Sequence, residues 1–234
     1  MRPLPLLLAA GLLLAALPVY GEPVQGEPVY GEPVQGEPAA AQLEIERVEL
    51  EARLDPREQA LYARATYFLR NRGPRSLETL EFDFPAALGA RARVNAVWDR
   101  DGELPWRADA DEGQAAAPLR VGLRAPLAFG KKLVVVVGYD LELAGFGSSP
   151  EGVKITEKSA RLAATGWYPL PRGAAPALPR RLRLAVRLPK DWQVAASGKL
   201  KRLQAGTVLA SYEVTLERVE PGAPLLRAGA PLPP

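Results

Sequence analysis

Asp99 and Asp101 stand two residues apart beside Gly102, and Asp109 and Asp111 repeat the spacing a turn later. These pairs are the nearest the sequence comes to a metal site. A calcium ion needs three or more further oxygen ligands that neither pair supplies. Histidine and cysteine do not occur in the 234 residues, which excludes a His-Glu-x-x-His zinc site, a Ser/His/Asp triad and a thiol nucleophile within this chain. Gly145-Phe146-Gly147-Ser148-Ser149 is glycine-rich but precedes no helical pattern, so it is not a phosphate loop. No catalytic residue, no metal ligand and no cofactor is therefore assigned, and the chain is not expected to be an enzyme on its own.

Two other groups could carry binding. Trp98, Trp106, Trp167 and Trp192, with the tyrosines, could form a platform for sugar or peptide, although aromatic residues at strand positions are usually core. Arg180, Arg181, Arg183 and Arg187 could form a stripe that docks an anion, or simply the solvated face of an edge strand. The formal charge of +3, from 30 Lys and Arg against 27 Asp and Glu, is too small for a nucleic-acid-binding field. Nucleic acid is not an expected partner.

These residues need elements to hold them, and the chain divides into three parts. Residues 1–21 have the form of an export signal: Met1-Arg2 supplies positive charge, Leu4 to Leu17 is apolar apart from Pro5, and Val19-Tyr20-Gly21 offers small residues for cleavage. The apolar stretch is shorter than the ~20 residues of a spanning helix, so a membrane contact is expected only if the segment stays uncleaved. The mature protein is expected to be exported, to the periplasm or the exterior. Residues 22–41 are a linker in which Gly-Glu-Pro-Val recurs; Val19 to Pro28 reads VYGEPVQGEP and Val29 to Pro38 repeats it. With this composition, Glu22 to Pro38 is expected to be a semi-rigid spacer of up to about 50 Å at ~3.1 Å per residue.

Residues 42–231 carry alternation with a period of two. Leu61, Ala63, Ala65, Tyr67 and Leu69 share one face until Asn71-Arg72-Gly73-Pro74 breaks the run. Leu80, Phe82 and Phe84 alternate with acids. Val94, Ala96 and Trp98 lead into Asp99-Arg100-Asp101-Gly102, with Leu104 and Trp106 on the return, as in a hairpin. Leu119 to Leu123 is a further strand. The run Leu133 to Val137, extended by Tyr139, Leu141 and Leu143, predicts a central one. Leu182 to Leu188 and Val208 to Leu216 alternate in the same way. The first strand changes parity, from Leu43 and Ile45 to Val48, Leu50, Ala52 and Leu54, so it needs a bulge near Glu46-Arg47 or consists of two short strands. Some ten strands, short turns and no helical stripe predict an all-β antiparallel sandwich.

The order of several segments resembles a known family. Leu50-Glu51-Ala52-Arg53-Leu54-Asp55-Pro56, the Tyr62 to Arg70 strand, Asn71-Arg72-Gly73-Pro74-Arg75-Ser76-Leu77, Pro126-Leu127 with Gly130, Gly138-Tyr139, Trp167-Tyr168-Pro169 and Leu188-Pro189-Lys190-Asp191-Trp192 to Ala196-Ser197-Gly198 resemble the N-terminal saddle-shaped β-domain of aminopeptidase N-like zinc metallopeptidases. The resemblance runs from about Leu43 to Pro231. It implies a domain that flanks a thermolysin-like catalytic domain and helps close its cleft. The zinc ligands, the general-base Glu and the Gly-x-Met-Glu-Asn loop of the family all belong to that other domain. Where the family has an acidic Asp-Glu-Pro turn bordering the cleft, this chain has Pro169-Leu170-Pro171-Arg172-Gly173-Ala174-Ala175-Pro176-Ala177-Leu178-Pro179, with an arginine and no carboxylate.

From the resemblance, a docking face is expected around Trp167, Tyr168, Pro169 and Arg172. The partner would be a separate catalytic domain or an envelope protein. The function expected is an exported, noncatalytic binding or docking module. The alternatives are a truncated or split metallo-aminopeptidase that lacks its zinc domain, and an envelope- or carbohydrate-binding module.

Overall fold

The computed structural model describes residues 43–85, 88, 91–108, 118–144, 152–220 and 223–231; the expected export signal and the repeat lie outside them. The described residues form fifteen strands and no helix: β1 (Leu43–Asp55), β2 (Ala60–Asn71), β3 (Leu77–Asp83), β4 (Ala92–Trp98), β5 (Trp106–Ala108), β6 (Leu119–Leu127), β7 (Lys132–Glu142), β8 (Val153–Ile155), β9 (Ser159–Ala163), β10 (Leu170–Pro171), β11 (Arg181–Pro189), β12 (Gln193–Ala196), β13 (Lys199–Ala205), β14 (Leu209–Leu216) and β15 (Pro224–Gly229). They assemble into a seven-stranded sheet, β13-β14-β11-β1-β2-β7-β4, and two four-stranded sheets, β10-β3-β6-β5 and β12-β15-β9-β8. The all-β architecture is the one expected from the alternation. One pairing departs from the antiparallel expectation, because β1 and β11 run parallel and the large sheet is mixed.

The parity change in β1 is a bulge. Ile45 faces Leu69 and Arg47 faces Phe68, so Glu46 is the extra residue. It lets Leu43 and Ile45 share the inner face with Val48, Leu50 and Leu54, all of them buried. The turn after β4 also forms where expected: the Asp99 N–H donates to the Gly102 carbonyl (2.9 Å), and Trp98 bridges Glu103. Gly102, at φ +133°, takes a conformation that side chains disfavour. The return strand then leaves its neighbour, since β5 pairs with β6 in the second sheet and not with β4. β7 is an interior strand between β2 and β4.

All three sheets contribute to one core. Tyr67 of β2 meets Phe82 of β3 at 5.1 Å between ring centroids, and Tyr139 of β7 meets Phe84 edge-on at 5.4 Å, so the large sheet packs on the second through aromatic pairs. Two polar residues are buried with them. Glu44 is held between Arg72 (2.7 Å) and Arg180 (2.6 Å); the hydrogen bond from Arg72 and the charge of Arg180 keep its carboxyl below the usual range. Asn71 ends β2, and its side-chain amide donates to the carbonyls of Arg75 and Leu127, both at 2.7 Å, while its Oδ1 accepts the Gly73 N–H at 2.9 Å.

Candidate functional site

The Trp167 to Arg172 segment joins the three sheets. It leaves the end of β9 in the third sheet, and the Trp167 indole N–H donates back to the Ala163 carbonyl (2.8 Å) while the Tyr168 hydroxyl donates to that of Ala164 (2.9 Å). From the large sheet, the Tyr139 hydroxyl donates to the Trp167 carbonyl at 3.3 Å and the Tyr67 hydroxyl donates to the Pro169 carbonyl. The chain then enters β10, where Leu170 and Pro171 pair with Asp83 and Phe82 of the second sheet. The Trp167 and Tyr168 rings stand edge to face, 5.5 Å apart.

Trp167 and Tyr168 are wholly buried, and Pro169 is buried as well. They are therefore not the exposed apolar surface expected of a docking face. The reason is the local backbone demand: the carbonyls of this crossing segment need donors, and buried tyrosines supply them. Burial raises Tyr67, Tyr139 and Tyr168 above the ordinary tyrosine range, so the three hydroxyls remain protonated donors.

Of the four expected residues, Arg172 alone reaches solvent. Its guanidinium clasps Asp83 through Nε (2.9 Å) and Nη2 (2.6 Å), and Glu81 through Nη1 (3.0 Å). Glu81 also receives Arg120 at 3.0 Å. Two cations and two anions cancel, so the loop offers no positive sign of its own. Because the cluster is exposed, Arg172→Ala is expected to lower stability by no more than about 1 kcal/mol, as read from urea unfolding midpoints.

The other sequence candidates fall apart as sites. Asp99 is committed to the Asp101 N–H (2.8 Å) and to Arg124 (3.2 Å). Among the described residues no three His, Cys, Asp or Glu side chains come together as a ligand set. Asp109, Asp111 and Gly145 to Ser149 lie outside the described residues. The arginine row is not on an edge strand: β11 lies between β14 and β1. Arg180, Arg181 and Arg183 pair with Glu44, Glu217 and Glu213, while Arg187 has no carboxylate partner among the described residues.

Trp167 and Trp192 are buried and Trp106 packs against the core. Trp98 is different, lying half-buried on the outer face of the large sheet. There a groove of about 520 Å3 crosses the strands, lined by Trp98, Tyr62, Arg53, Arg64, Asp140, Glu51, Ala185, Arg187, Ser211 and Leu203 among others. Its cause is visible in the register. Arg64 faces Gly138, and Glu51 faces Ala185, so two of the outward positions in one row are the smallest residues available. A Cβ on Gly138 would come within 3.0 Å of the Trp98 ring, which shows how closely the indole rests on that backbone. The Arg53 guanidinium lies over Tyr62 (4.4 Å) and that of Arg64 over Trp98 (5.6 Å). The sequence signal for this groove was the pair of small residues among long ones at outward parity, which does not resemble any motif.

Compared by sequence, the chain matches no protein-family model and no curated protein. Solved structures do match the fold. An M1 zinc metallopeptidase from Deinococcus radiodurans superposes with a TM-score of 0.61 at 20% identity, covering 80% of this chain and 42% of that one. A mutant of the enzyme from the same organism, bound to a Tyr-Ser-Ala substrate, gives 0.61 at 19% over the same shares. A two-domain M1 zinc metallopeptidase mutant bound to L-tryptophan gives 0.60 at 21%, with 80% and 43% covered. The chain thus spans about two fifths of the length of these enzymes. Over four fifths of its own length, it is folded as part of an M1 zinc metallopeptidase is folded.

Proposed function

We propose that this chain acts as an exported, noncatalytic binding or docking module built on the β-domain fold of M1 peptidases, with a separate catalytic domain or an envelope protein as its partner. The observation that carries the proposal is the conjunction of that fold with a chain containing neither histidine nor cysteine. The zinc of the matched enzymes finds no fitting ligands here: besides the missing imidazoles and thiols, no carboxylate cluster of three exists among the described residues. What the fold retains is a surface.

The second reading, a truncated or split metallo-aminopeptidase, is favoured by the 42% coverage of the matched chains. The purified chain is expected neither to hydrolyse aminoacyl-nitroanilides nor to retain stoichiometric zinc. Hydrolysis that survives chelation and follows the protein through purification would overturn the noncatalytic reading. Activity that arises only on adding a His-Glu-x-x-His polypeptide encoded beside the gene would establish the split enzyme.

A further inference from the structure

Two pairs of arginines stand side by side on β1 and β11, and the protein treats them differently. Arg47 neighbours Arg181 at one end of the parallel pairing, and Arg53 neighbours Arg187 at the other. Like charges in directly adjacent strand positions destabilise a sheet. The first pair is neutralised internally, with Glu49 3.2 Å from Arg47 and Glu217 3.1 Å from Arg181. The second pair lines the groove, and neither member has a carboxylate within ion-pair distance among the described residues. Arg64, which stands diagonally from Arg53 on β2, has none either.

The groove's own acids, Glu51 and Asp140, are two against three arginines. Glu51 stands directly opposite Arg64 and Asp140 diagonally from it, in register with Tyr62 and Arg93, yet neither comes within ion-pair distance of Arg53, Arg64 or Arg187. Ring stacking also selects the ligand. A guanidinium laid on an aromatic face keeps its in-plane N–H donors free for a carboxylate, yet it covers the face on which a sugar would stack. Arg53 does this to Tyr62 at 4.4 Å, and the Arg64 guanidinium lies over the Trp98 ring at 5.6 Å.

We propose that Arg53 and Arg187, extended by Arg64, form a docking site for an acidic peptide segment of a partner protein, bound extended across the strands. Arg53 and Arg64, as diagonal neighbours, are ~7–8 Å apart, close to the ~6.8 Å between alternate residues of an extended chain, so two carboxylates on one face of the peptide meet these two guanidinium groups. Arg187, directly beside Arg53 in register at the ~4.8 Å strand spacing, shares the carboxylate bound at Arg53. The site gives the docking module of the preceding section a surface. It rests on that reading, which the hydrolysis and zinc assays test separately.

The test is fluorescence anisotropy of dye-labelled octaglutamate titrated with the purified chain. Saturable binding is expected at about 20 mM salt, weakening roughly tenfold or more by about 200 mM. Arg53→Ser with Arg187→Ser is expected to weaken it at least about tenfold, because two charge-assisted contacts are removed, while Arg181→Ser changes it less than about twofold. The double variant should unfold at the same or a higher urea concentration, since the adjacent positive charges no longer repel. If the double variant is unstable, the single Arg187→Ser variant, whose guanidinium lies on no ring, decides. Absence of saturable binding, equal loss in Arg181→Ser, or tighter binding of an oligogalacturonate of the same length would each overturn the proposal.

Discussion

Trp167→Ala is expected to cost the fold about 3–5 kcal/mol, the usual range for deleting a buried large aromatic. The indole is fully enclosed, so its removal leaves a cavity that the surrounding sheets can only partly fill. The Ala163 carbonyl loses its donor, and Tyr168 loses the ring it meets edge-on. Against a total stability of roughly 5–15 kcal/mol, this is about a fifth or more. The melting temperature should fall by about 10 °C for a domain of this size. Urea unfolding should show a lower midpoint with an unchanged slope. Trp167→Phe keeps most of the volume and should lose distinctly less, the difference reporting the indole N–H. A loss below about 1 kcal/mol for the alanine variant would show that the segment does not tie the sheets together.

The second large effect is at Asn71. Asn71→Asp keeps the shape of the side chain but replaces two donors with oxygen, which would then face the carbonyls of Arg75 and Leu127. Two buried acceptors lose their partners and a third oxygen is set against them, at an expected cost of about 3–5 kcal/mol at neutral pH. The sign of the pH dependence follows. A protonated carboxyl still donates one hydrogen bond, so the folded state raises the pKa of the new group above the unfolded value of about 3.9. The defect is therefore smallest below that value and grows as pH rises through the folded one. Asn71→Leu loses all three side-chain hydrogen bonds without this dependence. Urea midpoints of both variants and the wild type at about pH 4 and pH 7 check the expectation; an aspartate variant equally unstable at both would refute it.

Sequence and structure part company where neighbours in space are distant in the chain. The bulge at Glu46 was legible because parity is a local property, and so were the turns at Asn71 and Gly102. The departure of β5 to the second sheet was not, because Leu104 and Trp106 continue the same alternation whichever strand receives them. Alternation in β11 reports one wet face and cannot say whether both edges are paired. Trp167 and Tyr168 lie between strands, where no period applies, and a resemblance that associates them with a cleft says nothing of the tyrosine hydroxyls that hold their backbone inside. In the groove, Arg53 and Arg187 belong to strands separated by most of the chain, so only the register brings them together.

That same parallel pairing sets the order in which the chain can fold. The strands β1, β2, β7 and β4 are joined by antiparallel contacts among residues 43–142, and β14 pairs antiparallel with both β11 and β13 within residues 181–216. The large sheet is completed only when β11 docks on β1. During synthesis the edge of β1 that will receive β11 stays open until residues 181–189 have emerged, and its closure is a contact of high sequence separation, the kind that slows β-rich proteins. The charges on the outer face of β1, Arg47, Glu49, Glu51 and Arg53, are then on guard during that wait, since charged side chains on an open strand discourage pairing with the wrong chain.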